Sequence, residues 1–435
     1  MHFRKLLLGM ATAALALPTL ASTAQADLII PSLIYRTGPY AAGGIPWGNG
    51  FNDYFAMLNA RDGGINGVRV DVRECETAYN TQQGVECYEA NKEGALVMTP
   101  RSTGITYQLI PRASVDEIPI FTLGYGRTSA TDGTTFPWVF NPPVTYWDGA
   151  SVMINYIAEQ VGGFENLAGK KIALVFHNSA YGKEPIRTLE SLAETYGFEL
   201  VQLPVDHPGQ EQRATWLQIR RDQPDWVLMY GWGVMNQVAI QEAASIRYPM
   251  DHFIGVWWSG SENDVLPAGA GADGYLSATF SAAGTDFPVF AEIMTHVYDA
   301  GNGAGERERV GEVIYNRGLL EAVIISEAIR TAMELTGKTD DLTGADMRMG
   351  FEHLNITAER LAELGLEGFA DPIAVACANH TGSGRAAIQQ WDADTGTWSM
   401  VTDFIDPDHE LIARLIAEDA EAYRTENSIT ATACN

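Results

Sequence analysis

From Asp27 onward, short apolar runs alternate with segments whose apolar residues recur at helical spacing, which predicts a chain of strand-then-helix units. Leu28–Ile34 reads as the first strand. Trp47–Arg61 reads as a helix, with Phe51, Tyr54, Phe55 and Leu58 on one face. The turn formers Gly63-Gly64-Ile65-Asn66-Gly67 lead to a strand at Val68–Arg73 and a helix at Gln82–Glu93. Next come an apolar run at Ala95–Met98, a small-hydroxyl turn at Ser102-Thr103-Gly104, an amphipathic helix to Asp116 and a strand at Ile118–Thr122. A strand at Phe136–Asn141 stops at the stiff Pro142-Pro143 boundary.

A second set of units repeats the pattern. Helices are predicted at Tyr146–Val161, Tyr181–Tyr196, Gln210–Arg221 and Val234–Arg247, and strands at Lys171–Phe176, Glu199–Pro204, Trp226–Tyr230, Phe253–Val256 and Tyr275–Phe280. Helices follow at Pro288–Tyr298, Arg309–Thr336 and Gly344–His353. A hairpin pairs Ala386–Trp391 with Thr397–Val401 around Asp392-Ala393-Asp394-Thr395-Gly396, and a closing helix covers Asp408–Tyr423.

The fold class is therefore α/β, with two Rossmann-like lobes of parallel sheet and one cleft between them. Crossings near 141, 280 and 372 give a three-strand hinge. Residues 27–141 plus 281–372 then form the N-terminal lobe, and 142–280 plus 373–435 the C-terminal lobe. In open α/β sheets ligands sit at the carboxyl edge of the strands. There Ser102 or Thr103 can cap the following helix, whose first N–H groups, beside the hydroxyls of Thr103 and Thr106, suit a carboxylate, an amide oxygen or another partly negative group.

Charge narrows the choice of partners. Lys and Arg total 28 against 55 Asp and Glu, a net −27, and so acidic a surface repels nucleic acid and anionic lipid. Residues 1–26 read as a secretory signal peptide: Arg4-Lys5, an apolar run from Leu6 to Leu17, then Ala24-Gln25-Ala26 as a cleavage site. That run is too short to span a bilayer. An exported chain whose mature form starts near Asp27 is expected, with no membrane insertion. Four cysteines in an oxidising compartment favour two disulfides, Cys75 with Cys87 and Cys377 with Cys434, out of three possible pairings.

Catalytic and metal patterns are missing. The eight histidines form no H-E-x-x-H arrangement, and neither a G-x-S-x-G elbow nor a phosphate-binding P-loop is present. Gly269-Ala270-Gly271-Ala272-Asp273-Gly274 satisfies G-x-G-x-x-G but precedes a strand, so it reads as a flexible loop. Asp392 and Asp394 match only a fragment of a calcium loop. No cofactor, no metal and no enzymatic activity are expected.

The leader, the Thr37-Gly38-Pro39-Tyr40 turn, the Gly63–Gly67 bend, the Ser102-Thr103-Gly104-Ile105-Thr106 turn and Ala180-Tyr181-Gly182 occur together and in order. As an ordered set they resemble the periplasmic substrate-binding proteins of ABC importers, of the branched-chain amino-acid and amide class. The resemblance covers essentially the whole mature chain. It implies the type I periplasmic binding protein fold, a small-molecule ligand, a membrane permease as partner, and a monomer in the periplasm. It also implies that Ser102, Thr103, Gly104 and Thr106 hold one end of the ligand, and that Gly124, Tyr125 and Gly126 offer backbone groups. Tyr181 closes over the ligand, and Trp232 and Trp257 occupy the later second-lobe positions. Trp47, opening the first helix, adds a wall from the first lobe.

One departure decides the ligand class. Where an amino-acid binder of this family carries a carboxylate for the ammonium, this chain has Trp257, followed by Trp258. A buried ammonium without counter-charge is costly. The flat faces of Trp47, Tyr181, Trp232 and Trp257 favour an apolar or aromatic ligand with one polar or carboxylate end at Thr103 and Thr106. The alternatives are a branched-chain amino acid or amide, or a quaternary ammonium in an aromatic cage. Arg101 and Arg127 lie in the two relevant loops, either as donors to the ligand or as surface arginines of an acidic protein. Trp138, Trp226 and Trp391 fall within strands and read as core. Import and sensing share this fold, and an amide hydrolase ranks below both for want of a nucleophile–base pair.

Overall fold

A computed structural model of the protein describes residues 27–434, so the leader and its cleavage site lie outside the described residues. The first half builds a parallel sheet around Leu28–Ile34. On one side this strand pairs with Val70–Glu76, Leu28 opposite Val70. On the other it bridges to residues 95–99 through Ile29–Ala95 and Ser32–Thr99. Met98 in turn bridges to Ile120, and Ile120–Phe121 pairs with Val139–Phe140. Leu28, Ile30, Leu33 and Ile34 are all buried, as a strand covered by helices on both faces requires.

The second half builds a seven-stranded sheet in the order Thr397–Met400, Ala387–Asp392, Leu276–Thr279, Phe253–Gly255, Trp226–Tyr230, Lys171–His177, Glu199–Val205. The last five run parallel, and the hairpin adds two antiparallel strands at one edge. Its turn forms as expected, with Asp392 Oδ1 accepting from the backbone N–H groups of Asp394 and Thr395. Trp226 and Trp391 are buried within strands, while Trp138 is buried in the turn before Val139–Phe140, the only part of the expected Phe136–Asn141 strand that forms. The cysteines join as Cys75–Cys87 and Cys377–Cys434. Among the described residues no helix is long and apolar enough to cross a membrane.

The chain passes between the sheets three times, and hydrogen bonds tie the crossings together. Asn141 N–H donates to His380 O at 2.9 Å, Gly384 N–H to Pro143 O at 3.2 Å, and Ala282 N–H to Phe369 O at 2.8 Å. The rungs are backbone to backbone, so the crossings act as one ribbon.

Several elements differ from the sequence pattern. The helix expected at Trp47 begins at Ala41 and runs to Asp62, through Gly43, Gly44, Pro46, Gly48 and Gly50. These residues look like a turn in sequence because glycine is a poor helix former. Here packing overrides propensity. Pro185 splits the helix expected over Tyr181–Tyr196 into Ala180–Lys183 and Ile186–Tyr196. The presumed loop at Gly269–Gly274 instead carries 3₁₀ turns over Leu266–Ala272, interrupted at Gly269. Short elements at Trp257–Ser259, Glu262–Val265 and Ala358–Glu363 were too brief to show a period.

The helix Ala41–Asp62 packs along Val313–Thr336, which brings the end of the chain's long excursion back to the first sheet. Their contact is reciprocal. A Cβ on Gly50 would lie 2.0 Å from Tyr315 O, and one on Gly318 would lie 2.0 Å from Trp47 O. Alanine raises intrinsic helix propensity by about 1 kcal/mol over glycine, yet at these positions it meets a backbone carbonyl that has no rotamer to yield. The clash wins, so Gly50→Ala and Gly318→Ala should each destabilise by about 1–3 kcal/mol. A lower thermal midpoint in scanning calorimetry is expected; an unchanged or raised midpoint would show that the helices are not in this close contact.

Candidate functional site

Parallel strands leave their carboxyl ends toward the gap between the sheets, and nearly every residue around one small cavity follows such an end. Tyr35 follows Leu28–Ile34, Tyr79 follows Val70–Glu76, and Arg101, Ser102 and Thr103 follow residues 95–99. Tyr125 follows Ile120–Phe121. From the second half come Tyr146, then Tyr181 after Lys171–His177, Trp232 after Trp226–Tyr230, and Trp258 after Phe253–Gly255. Trp47 completes the lining from the helix Ala41–Asp62. The space within it that water can occupy is about 10 Å³, room for about one water, so the aromatic rings nearly fill the gap themselves.

The hydroxyl corner forms at the start of the helix Thr103–Asp116. Ser102 is its N-cap, and its Oγ accepts from Ile105 N–H. Thr103 Oγ1 accepts from Gly126 N–H at 3.1 Å, which locks the corner to the next loop. The 14-residue helix thus places its N-terminus, with Ser102 and Thr103, in the cavity wall.

Behind this corner lies an ion pair with no solvent exposure. Arg101 Nη2 and Nε donate to Glu321 Oε2 at 2.8 and 3.0 Å, and both side chains are fully buried. Trp47 Nε1 donates to the same Oε2 at 2.8 Å. Arg101 Nη1 bonds Ser32 Oγ, and the Arg101 backbone N–H donates to Tyr125 Oη at 2.7 Å. Burial pushes the Glu321 carboxyl up, while Arg101 and Trp47 pull it back down. One pair therefore positions two cavity rings, Trp47 and Tyr125, and spends its own charge in doing so.

The residues expected at the site divide into two groups. Trp47, Ser102, Thr103, Tyr125, Tyr181 and Trp232 surround the cavity. Gly104, Thr106, Gly124 and Gly126 do not reach it. Thr106 Oγ1 turns back to Ser102 O at 2.8 Å, Gly126 N–H is bonded to Thr103, and Gly124 O accepts from two indoles. Trp257 is the clear correction. It packs beneath the wall, stacked on Tyr146 at 5.8 Å and 6°, against Gly149, with Nε1 donating to Gly124 O at 2.9 Å. Its neighbour Trp258 lines the cavity instead, because the 3₁₀ turn Trp257–Ser259 swings successive side chains to different sides. Arg101 is neither exposed nor free, and Arg127 does not line the cavity but pairs with Asp419 and lies over Tyr423. Tyr35, Tyr79, Tyr146 and Trp258 escaped the sequence reading. Tyr35 and Trp258 each follow a strand end, the position at which the rule for open α/β sheets places ligand contacts.

Contacts between the two halves extend beyond the cavity. Trp258 stacks on Trp47 at 4.5 Å and 20°, and both Trp257 and Trp258 donate to Gly124 O. Tyr40 Oη bonds His177 Nε2 at 2.8 Å and also His207. Asn263 Nδ2 donates to Ala42 O at 2.8 Å, and Glu262 Oε2 accepts from Val313 N–H at 3.0 Å, capping the helix Val313–Thr336 from the other half. Among the described residues no group of three or more metal-ligating side chains gathers.

Burial raises the Glu262 carboxyl to about 7. In the folded protein it therefore keeps its proton to higher pH than in the unfolded chain. Between its ordinary value and pH 7 the native state binds more protons, so this group's contribution to stability falls as pH rises. Asp148 and Asp264, each raised to about 6 by burial, act in the same sense. His177 and His380, lowered to about 4 by burial, act in the opposite sense below about pH 6.5. Glu262→Gln keeps an acceptor for Val313 and removes only one term. The variant should lose about 2 kcal/mol less stability than the parent between pH 5 and 7.5. Parallel thermal midpoints for the two proteins across that range would contradict the assignment.

A family model described as periplasmic binding protein matches residues 28–397. No curated protein sequence matches the chain. A solved structure described as an ABC transporter permease from the Pseudomonas fluorescens group is 44% identical, covering 94% of this chain and 99% of that one, with a TM-score of 0.87. A branched-chain amino acid ABC transporter from Thermus thermophilus with bound valine is 22% identical over 90% and 98% of the two chains, TM-score 0.74. An ABC transporter solute binding protein from R. palustris in complex with benzoate is 15% identical over 88% and 97%, TM-score 0.68. The last two share the fold. With most of its length matched to the family model, the chain belongs to the periplasmic binding proteins.

Proposed function

We propose that this protein is the solute-binding component of an ABC importer and that its ligand is a small apolar or aromatic carboxylate. Eight of the eleven cavity residues are aromatic and none is Asp or Glu. That absence among the lining residues carries the reading. Glu321, behind the wall, spends its Oε2 on Arg101 and Trp47; its Oε1 is unpartnered, but the residue does not line the cavity, so a ligand ammonium would meet no carboxylate there. A carboxylate, by contrast, meets Ser102, Thr103 and the helix N-terminus. Relatives with this fold are described with valine and with benzoate. The fold therefore serves both classes, and the choice rests with the lining.

Capture works by closure of two rigid lobes, 27–141 with 281–372 and 142–280 with 373–435. Tyr35, Trp47, Tyr79 and the hydroxyl corner belong to one lobe, and Tyr146, Tyr181, Trp232 and Trp258 to the other. A ligand that touches both sets favours the closed state by its differential affinity. The signal peptide directs the chain to the periplasm with cleavage after Ala26. There the loaded monomer meets its membrane permease.

Isothermal titration of the mature protein with benzoate, phenylacetate, leucine, valine and glycine betaine tests the ligand class. At least one aromatic carboxylate is expected to bind ten times or more tightly than leucine or betaine. Tight leucine binding with weak aromatic binding would overturn the reading.

A further inference from the structure

Beside the hydroxyl corner the cavity holds a second polar feature, made by Tyr35 and Trp232. Tyr35 is fully buried and Trp232 is 5% exposed. Both line the cavity, and neither Tyr35 Oη nor Trp232 Nε1 has a hydrogen-bond partner. Buried polar groups are nearly always paired, because an unpaired donor loses its water without replacement. Two other cavity tyrosines differ. Tyr181 Oη donates to Gly231 O at 2.9 Å, and Tyr125 Oη accepts from Arg101 N–H.

The two rings are held together by construction. They meet edge to face at 6.4 Å and 84°. A Cβ on Gly43 would lie 2.4 Å from the Trp232 ring, and one on Gly44 would lie 2.5 Å from the Tyr35 ring. The consecutive glycines at the start of the helix Ala41–Asp62 thus admit one ring each, from opposite lobes. Burial raises the Tyr35 phenol well above its usual value; the Trp232 N–H approaches the phenol oxygen closely enough to lower it slightly, but without the geometry of a hydrogen bond. The phenol keeps its proton at any physiological pH. The indole N–H is a donor only.

We propose that Tyr35 and Trp232 form a donor pair that reads a neutral oxygen on the ligand, so the preferred solutes are carboxylates bearing a further hydroxyl, carbonyl or ether oxygen. The inference rests on the carboxylate reading above and adds the group that distinguishes one carboxylate from another. A plain hydrocarbon ligand would leave both donors unpaired, and sites of that kind reject analogues lacking the matching acceptor. The pair completes only when the lobes meet, since Tyr35 comes from one and Trp232 from the other. Recognition of the oxygen and closure are then one event.

The test uses near-isosteric pairs, 3- and 4-formylbenzoate against 3- and 4-methylbenzoate, titrated into the mature protein. In at least one pair the formyl compound should bind tenfold or more tightly. In Tyr35→Phe, and again in Trp232→Phe, that preference should shrink to within about threefold, whatever loss of affinity the formyl and methyl compounds share, while the thermal midpoint shows a folded protein. Should one variant fail to fold, the other decides. Equal affinities within both pairs, or a preference that survives both substitutions, overturn the donor pair and leave the carboxylate reading standing. Binding of none of the four, with leucine bound instead, overturns the carboxylate reading and this inference with it.

Discussion

The buried pair Arg101–Glu321 sets the chemistry of the whole cleft. Two full charges sit in a region with no solvent exposure, and each is compensated by the other and by neighbouring hydrogen bonds. Breaking such a pair costs far more than the pair contributes, because the survivor stays buried and uncompensated. Neither member is therefore available to a ligand. Glu321 stands outside the lining with its Oε2 already committed, and Arg101 reaches the cavity as a neutralised wall. The pair also fixes the rings around it. Trp47 is anchored on Glu321, and Tyr125 on the Arg101 backbone.

With charge removed, the cavity depends on aromatic surface contributed from both halves. Trp258 stacks on Trp47 and has the Arg317 guanidinium over its ring at 5.4 Å, so an indole of one half packs against two side chains of the other. Arg317 also bonds Trp257 O. Glu262 and Asn263 add contacts outside the cavity. The closed arrangement is thus supported at several points, while the backbone rungs among the three crossings keep the hinge a single unit. Ligand energy has only to add to these contacts for closure to be favoured.

Much of this was legible in the residues. Apolar runs marked the buried strands, glycine and proline marked most boundaries, the strand-end rule led to Ser102 and Thr103, and the family resemblance to Tyr125, Tyr181 and Trp232, which line the same cavity. What could not be read follows from geometry with no local period. Trp257 and Trp258 are adjacent and chemically alike, and only the 3₁₀ turn decides which faces inward. Tyr79 and Arg101 adopt positive φ, 60° and 48°, which aims side chains where a strand or helix pattern would not. Glu321 stands 220 positions from Arg101, on a helix whose return to the first sheet shows only in three dimensions. The early start of the helix at Ala41 was hidden because its glycines serve close approach and lower propensity together.

The central claim is that the cleft has no place for a positive charge and does have one for a negative end. Mass spectrometry of the small molecule that co-purifies with the protein addresses it directly: native spectra give the mass of the bound species, and spectra after denaturation give its composition. A carboxylate without an amino group is the expected occupant. An amino acid or quaternary amine bound at full occupancy would contradict the account.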